Sequence, residues 1–160
     1  FDGVIDMHGG EKVDYYYYLI DGLIAWLSMV VIFYPVSLFV TKLKSRFIDV
    51  AGTLLLARFP MIIDALILFY LKNSEVNKFL ESVVLKTNVV YNIQIMDWMF
   101  FVGSMLLMIM STVWFIALCY NSYKVNTNLK GVKAVWIFVV GILLAEILSK
   151  ILFYYINNTI

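Results

Sequence analysis

Four long stretches of almost uninterrupted apolar residues run along this chain, at residues 15–40, 47–71, 98–120 and 135–155. A helix needs roughly 20 apolar residues to cross a hydrocarbon core of about 30 Å. The alternation of apolar and polar residues typical of a membrane β-strand is absent from all four stretches. Because lipid offers backbone amides no hydrogen-bond partner, such stretches must be helical. The pattern predicts an all-α, polytopic transmembrane helical bundle of four spans within residues 15–160.

The segments outside these spans are more polar. Residues 1–14 form an acidic N-terminal segment that we place on the extracytoplasmic side. Between spans two and three, apolar residues recur at the spacing of one helix face: Val76, Phe79, Leu80, Val83 and Val84. This spacing predicts an amphipathic helix over about 75–86, lying in the outer membrane interface. A helix packed over the mouth of the bundle explains the spacing equally well.

Composition agrees with a membrane protein and narrows the chemistry. Apolar and aromatic residues make up 63% of the 160 and charged residues 14%, against about 45–50% and about 25% in soluble domains. A single cysteine, Cys119, and a single histidine, His8, argue against a disulfide framework or a metal site. Nucleotide-binding and zinc-protease motifs are absent from the sequence. We therefore expect no enzyme activity, no catalytic residues, no cofactor, no metal and no nucleic-acid partner.

Basic residues in the short loops indicate the orientation of the spans. The first and third loops are rich in them: Lys42, Lys44, Arg46, Lys124, Lys130 and Lys133. Since such loops stay in the cytoplasm, both termini of this chain are expected outside. The chain begins with Phe1, and its acidic first segment falls outside without a signal sequence. We therefore expect one further span upstream, which would give five spans with a cytosolic N-terminus.

Five ionisable residues lie deep within the predicted spans: Asp21, Arg58, Asp64, Glu146 and Lys150. At about 1.5 Å per residue from the cytoplasmic ends, Arg58 and Glu146 both lie about 16 Å deep. We predict that they form an ion pair at mid-membrane. Lys150 and Asp64 lie at about 22 and 25 Å, which predicts a second contact nearer the outer face, with Asp21 at about 28 Å able to share it.

Whether these charges are structural or functional is left open by the sequence. Paired charges can lock helix two to helix four, whereas intramembrane charges also mark ion and proton pathways. Arg58 and Asp64 would diverge by about 120° on a straight helix. Pro60 lies between them and predicts a kink in the second span.

The fourth span also contains small residues at four-residue intervals, Gly141, Ala145 and Ser149. Small residues repeated in this way allow a neighbouring helix to approach closely. The sequence predicts a helix-packing seam here. It does not separate packing within the chain from packing against a second copy.

Two stretches resemble the Yip-type family, polytopic membrane proteins named for their interaction with Ypt/Rab GTPases. The first is the proline-bearing span around Ala57, Arg58, Phe59 and Pro60. The second runs from Trp114 through Tyr120, Tyr123, Asn128, Leu129, Lys130, Gly131 and Lys133 into the last span. The resemblance covers roughly residues 47–155 and implies a five-span protein with a cytosolic N-terminus and an extracytoplasmic C-terminus.

The resemblance also guides the functional expectation. The Asp-Leu-Tyr-Gly-Pro type sequence of eukaryotic members is absent, so GTPase binding is doubtful for this chain. We expect a non-enzymatic membrane organiser or adaptor whose partners are the lipid bilayer, other membrane proteins or a second copy. The alternative is a transporter or channel component that uses Arg58, Asp64 and Glu146. A composition rich in Ile, Lys, Asn and Tyr favours a bacterial inner membrane over a eukaryotic endomembrane.

Overall fold

The computed structural model describes residues 15–40, 46–72, 74–84 and 93–157, and every regular element within these ranges is an α-helix. The predicted all-α class is therefore confirmed, whereas the acidic segment 1–14 lies outside the described residues. The helices are α1 (Tyr15–Val40), α2 (Phe47–Ala57), α3 (Met61–Lys72), α4 (Glu75–Val84), α5 (Ile95–Thr127) and α6 (Gly131–Asn157).

Four helical stretches are long and apolar enough to cross a membrane: Ile20–Phe39, Phe47–Leu71, Ile95–Thr127 and Gly131–Ile156. The chain is thus a multi-pass, all-helical membrane protein. Helices α5 and α6 extend beyond the spans predicted at 98–120 and 135–155. The difference has a physical cause, because hydropathy marks the part of a helix that lipid can cover. Polar residues near the ends of a span continue the helix.

The second span is interrupted rather than bent. Helix α2 ends at Ala57, residues 58–60 form a turn, and α3 begins at Met61. Proline lacks an N–H, and its ring clashes with the preceding helical turn. The Arg58 amide donates to Leu55 O at 3.1 Å, a bond of the tighter three-residue type. The predicted kink at Pro60 is therefore a break between two helices.

The helices form two compact units. Unit 1 contains the residues up to Arg58 and those from Ile116 onward, and unit 2 contains Phe59–Phe115. In unit 1, α6 and α2 both pack on α1. The Phe33 ring of α1 lies 5.6 Å from the Tyr123 ring and 5.7 Å from the Phe138 ring. The Trp26 indole N–H donates to Ala51 O at 3.0 Å, which ties α1 to α2.

Unit 2 contains α3, α4 and the first part of α5. The Ser74 hydroxyl oxygen accepts from the Asn77 amide at 3.2 Å and so caps the start of α4. Val76 is fully buried, and the Phe79 ring stands edge-on to the Trp98 ring at 6.5 Å. The helix predicted over about 75–86 is thus present as Glu75–Val84, with Val76 and Phe79 packed against protein, and residues 85–86 lie outside the described residues. Its depth in the membrane stays a prediction.

Candidate functional site

The ionisable side chains of the interrupted span differ in their surroundings from those of the fourth span. Arg58 follows the last residue of α2 and is half-buried. Its Nη1 atom is buried and has no hydrogen-bond partner. The thiol of Cys119, buried on α5, lies close enough to the guanidinium to interact with it.

Glu146 is paired, but not with the residue that we predicted. Its Oε1 atom lies 3.2 Å from Lys150 Nζ, one turn along α6, and the two side chains are 17% and 49% exposed. Among the described residues, Arg58 makes no ion pair with Glu146. Residues four apart share a helix face and need no alignment between helices. The prediction rested on the equal depths of Arg58 and Glu146 in the membrane. Equal depth does not define the direction in which each side chain points around its helix.

Asp64 lies in the first turn of α3 and is only 2% exposed. Its Oδ1 atom has no hydrogen-bond partner. The Ser111 side chain of α5 lies beside the carboxyl, and its hydroxyl donates to Pro60 O at 2.7 Å. An ionised side chain within the membrane costs about 2.5–3.5 kcal/mol on insertion scales unless it is compensated. The predicted contact of Asp64 with Lys150 and Asp21 would join unit 2 to unit 1, and it stays a prediction.

A polar cluster of Thr53, Ser122 and Asn126 joins α2 to α5 within unit 1. The Ser122 hydroxyl donates to Thr53 Oγ1 at 2.7 Å, and the Asn126 amide donates to the same oxygen at 2.9 Å. Sequence reasoning missed this cluster because two of its members follow the predicted end of the third span. The available signal was the four-residue spacing of Ser122 and Asn126, which places both on one helix face.

The predicted seam of α6 packs within the chain. Gly141, Ala145 and Ser149 are all buried, and α6 packs on α1. A Cβ atom at Gly141 would lie 2.8 Å from Cε1 of Phe33, closer than such contacts allow. Helix α1 therefore occupies this side of α6 at Gly141.

The described residues do not form a recognisable metal site. In the part of the chain that the structure describes, no three His, Cys, Asp or Glu side chains converge as a metal centre requires. What the described residues do offer is hydrogen-bonding and proton-exchanging groups at the interrupted span. Asp64, Ser111 and Pro60 are the group with the most direct capacity for chemistry, since one of them is a buried acid.

Comparisons with known proteins returned no relatives. A scan against protein-family models found no match, and searches of the curated proteins and of the solved structures also found none. The class of the protein therefore follows from its own helices, and its function has to be argued from its residues.

Proposed function

We propose that this chain is a Yip-type integral membrane protein that organises or links membrane proteins through helix–helix contacts, without catalysing a reaction. The resemblance of the proline-bearing span and of the segment leading into the last span supports this assignment. The lysine-rich first and third loops agree with the topology of the family. The composition favours a bacterial inner membrane, with a second copy or another membrane protein as partner.

The observation that carries the proposal is the exposure of the first half of α5. From Ile95 to Met110 no residue of this helix is buried. By contrast, α1 buries Ala25, Met29 and Phe33 within the chain. A membrane helix with no buried residue has room for lipid and for a partner helix, since association in membranes rests on close packing. We take this stretch as the contact surface.

Photo-crosslinking in native membranes tests the proposal. A photoreactive residue at Leu106 of α5 is compared with one at Leu143 of α6, because the two side chains are almost equally exposed, at 57% and 55%. We expect a discrete protein adduct from position 106 and only lipid adducts from position 143. Lipid adducts alone at both positions would contradict the proposal. So would an ion flux in proteoliposomes that Glu146→Gln abolishes.

A second candidate function, a transporter or channel component, is favoured by the interrupted span. Discontinuous membrane helices with polar groups at the break are a feature of ion and substrate sites in transporters. Here Arg58 lies in the turn and Asp64 in the first turn of α3, and each has a buried polar atom without a hydrogen-bond partner. The test is proton or cation flux into vesicles holding the purified chain. A flux that Asp64→Asn abolishes would support this function, and the absence of flux would exclude it.

A further inference from the structure

Three hydrogen-bond donors near Asp64 already have other acceptors. The single proton of the Ser111 hydroxyl goes to Pro60 O at 2.7 Å. Two amides in the first turn of α3 also have acceptors, since Ile62 N donates to Phe59 O at 3.2 Å and Ile63 N to Pro60 O at 3.0 Å. An ionised carboxylate can only accept hydrogen bonds. None of these donors is free to serve it, which agrees with the unpartnered Oδ1 atom of Asp64.

The described charged side chains of unit 2 are engaged elsewhere. Glu75 and Lys78 of α4 form an exposed pair at 2.8 Å. Asp97, at the start of α5, accepts from the Gln94 amide at 3.0 Å through Oδ2. Thus no described charged group of unit 2 provides Asp64 with a counter-ion.

We infer that Asp64 is a proton-binding site inside the membrane, at which the neutral carboxyl donates its hydrogen to Ser111 Oγ and thereby extends the hydrogen bond from Ser111 to Pro60 O. A proton from water forms an O–H bond with the carboxylate on binding, and returns to water on release. The hydroxyl oxygen of Ser111 can accept this bond because its own proton points to Pro60. A hard metal ion suits the site less well, since such ions take about six oxygen ligands.

The site would couple protonation to the contact between two helices. With the proton bound, one chain of hydrogen bonds runs from α3 through Ser111 of α5 to the turn at Pro60. Without it, a negative charge faces the lone pairs of the Ser111 hydroxyl, and α3 loses this link to α5. The inference does not depend on whether the protein organises partners or moves ions, because it concerns an equilibrium of the chain itself.

Infrared spectroscopy of the full chain in lipid vesicles tests this assignment. We expect, at neutral pH, the carbonyl-stretch band of a protonated carboxyl, which shifts in D₂O and disappears in Asp64→Asn. Glu146→Gln is the matched control and should keep the band, since Glu146 pairs with Lys150. A band that is missing from the unmodified chain, that survives Asp64→Asn, or that vanishes when sodium replaces choline would overturn the assignment. The last outcome would indicate a metal ion instead of a proton.

Ser111→Ala keeps the test decisive even if Asp64→Asn fails to fold. This variant retains Asp64 but removes the acceptor of its hydrogen bond. The band of the protonated carboxyl should persist and move to higher frequency, as expected for a weaker hydrogen bond. An unchanged frequency would contradict the contact with Ser111.

Discussion

At the scale of single residues, Gly141 leaves no room for a side chain where α6 packs on α1. Gly141 faces the ring of Phe33, which is almost completely buried and packs against the rings of Tyr123 and Phe138. The ring therefore has little freedom to withdraw. Glycine is therefore needed at position 141 to make room for the ring of Phe33, and not to make the helix flexible.

Gly141→Ala should destabilise the protein by about 1–3 kcal/mol, because the added methyl forces the ring of Phe33 to shift in a packed core. Thermal unfolding in detergent measures the effect. Gly103→Ala is the matched control in α5, where an added Cβ meets nothing within 4 Å. It should leave stability unchanged or raise it slightly through helix propensity. Equal losses in both variants would show that the contact with Phe33 is not the cause.

In the polar cluster, the Thr53 hydroxyl oxygen accepts two hydrogen bonds from α5. Thr53→Val preserves shape but removes the oxygen that accepts from Ser122 and Asn126. We expect a loss of about 0.6 kcal/mol, the average for hydrogen bonds between membrane helices, and at most about 1.7 kcal/mol. Thr112→Val is the control, because the Thr112 hydroxyl donates to Met108 O of its own helix. The idea fails if both valine variants unfold at the same denaturant concentration.

At the scale of elements, the turn between α5 and α6 depends on two residues with positive φ. Asn128 has φ of 51° and follows the end of α5, and its amide donates to Lys124 O at 2.8 Å. Gly131, with φ of 74°, is the first residue of α6. Asparagine and glycine are the residues that adopt this conformation most readily. The turn is therefore encoded locally.

Gly131→Ala should cost about 1–2 kcal/mol, the usual penalty of a left-handed conformation for a residue with a Cβ. The space around Gly131 is open, so the cost would arise from the backbone alone. Gly52→Ala, in the middle of α2 and equally uncrowded, should change stability in the opposite direction by up to about 1 kcal/mol. Unfolding curves of the two variants in one detergent give the comparison. A Gly131→Ala variant as stable as the unmodified chain would refute the argument.

The elements also show what sequence reasoning could reach. Hydropathy located all four spans, because lipid imposes a strong requirement on every residue of a helix. It did not distinguish a kink from a break at proline. Pro35 lies inside the continuous helix α1, whereas Pro60 lies in the turn between α2 and α3, where its carbonyl oxygen accepts a hydrogen bond from Ser111. The predicted pair of Arg58 with Glu146 was wrong for a similar reason, since counting residues gives depth in the membrane but not the direction in which a side chain points.

At the scale of the whole molecule, the arrangement of charge along the chain predicts its orientation in the membrane. The lysine-rich first and third loops are separated by two spans and must share a side of the membrane if all four stretches cross it. The second loop, which contains α4, must then lie on the opposite side. This relation depends on the number of spans alone, and the excess of Lys and Arg decides which side is the cytoplasm.

Labelling of single cysteines tests both parts of this argument. In a chain with Cys119→Ala, which removes the single native thiol, Ser45→Cys and Lys130→Cys report the first and third loops, and Lys78→Cys reports α4. A thiol reagent that cannot cross membranes should label position 78 in intact cells, and positions 45 and 130 only after permeabilisation. Labelling of 45 and 130 from different sides would refute the four-span count. Labelling of both in intact cells, with 78 protected, would keep the count and reverse the orientation.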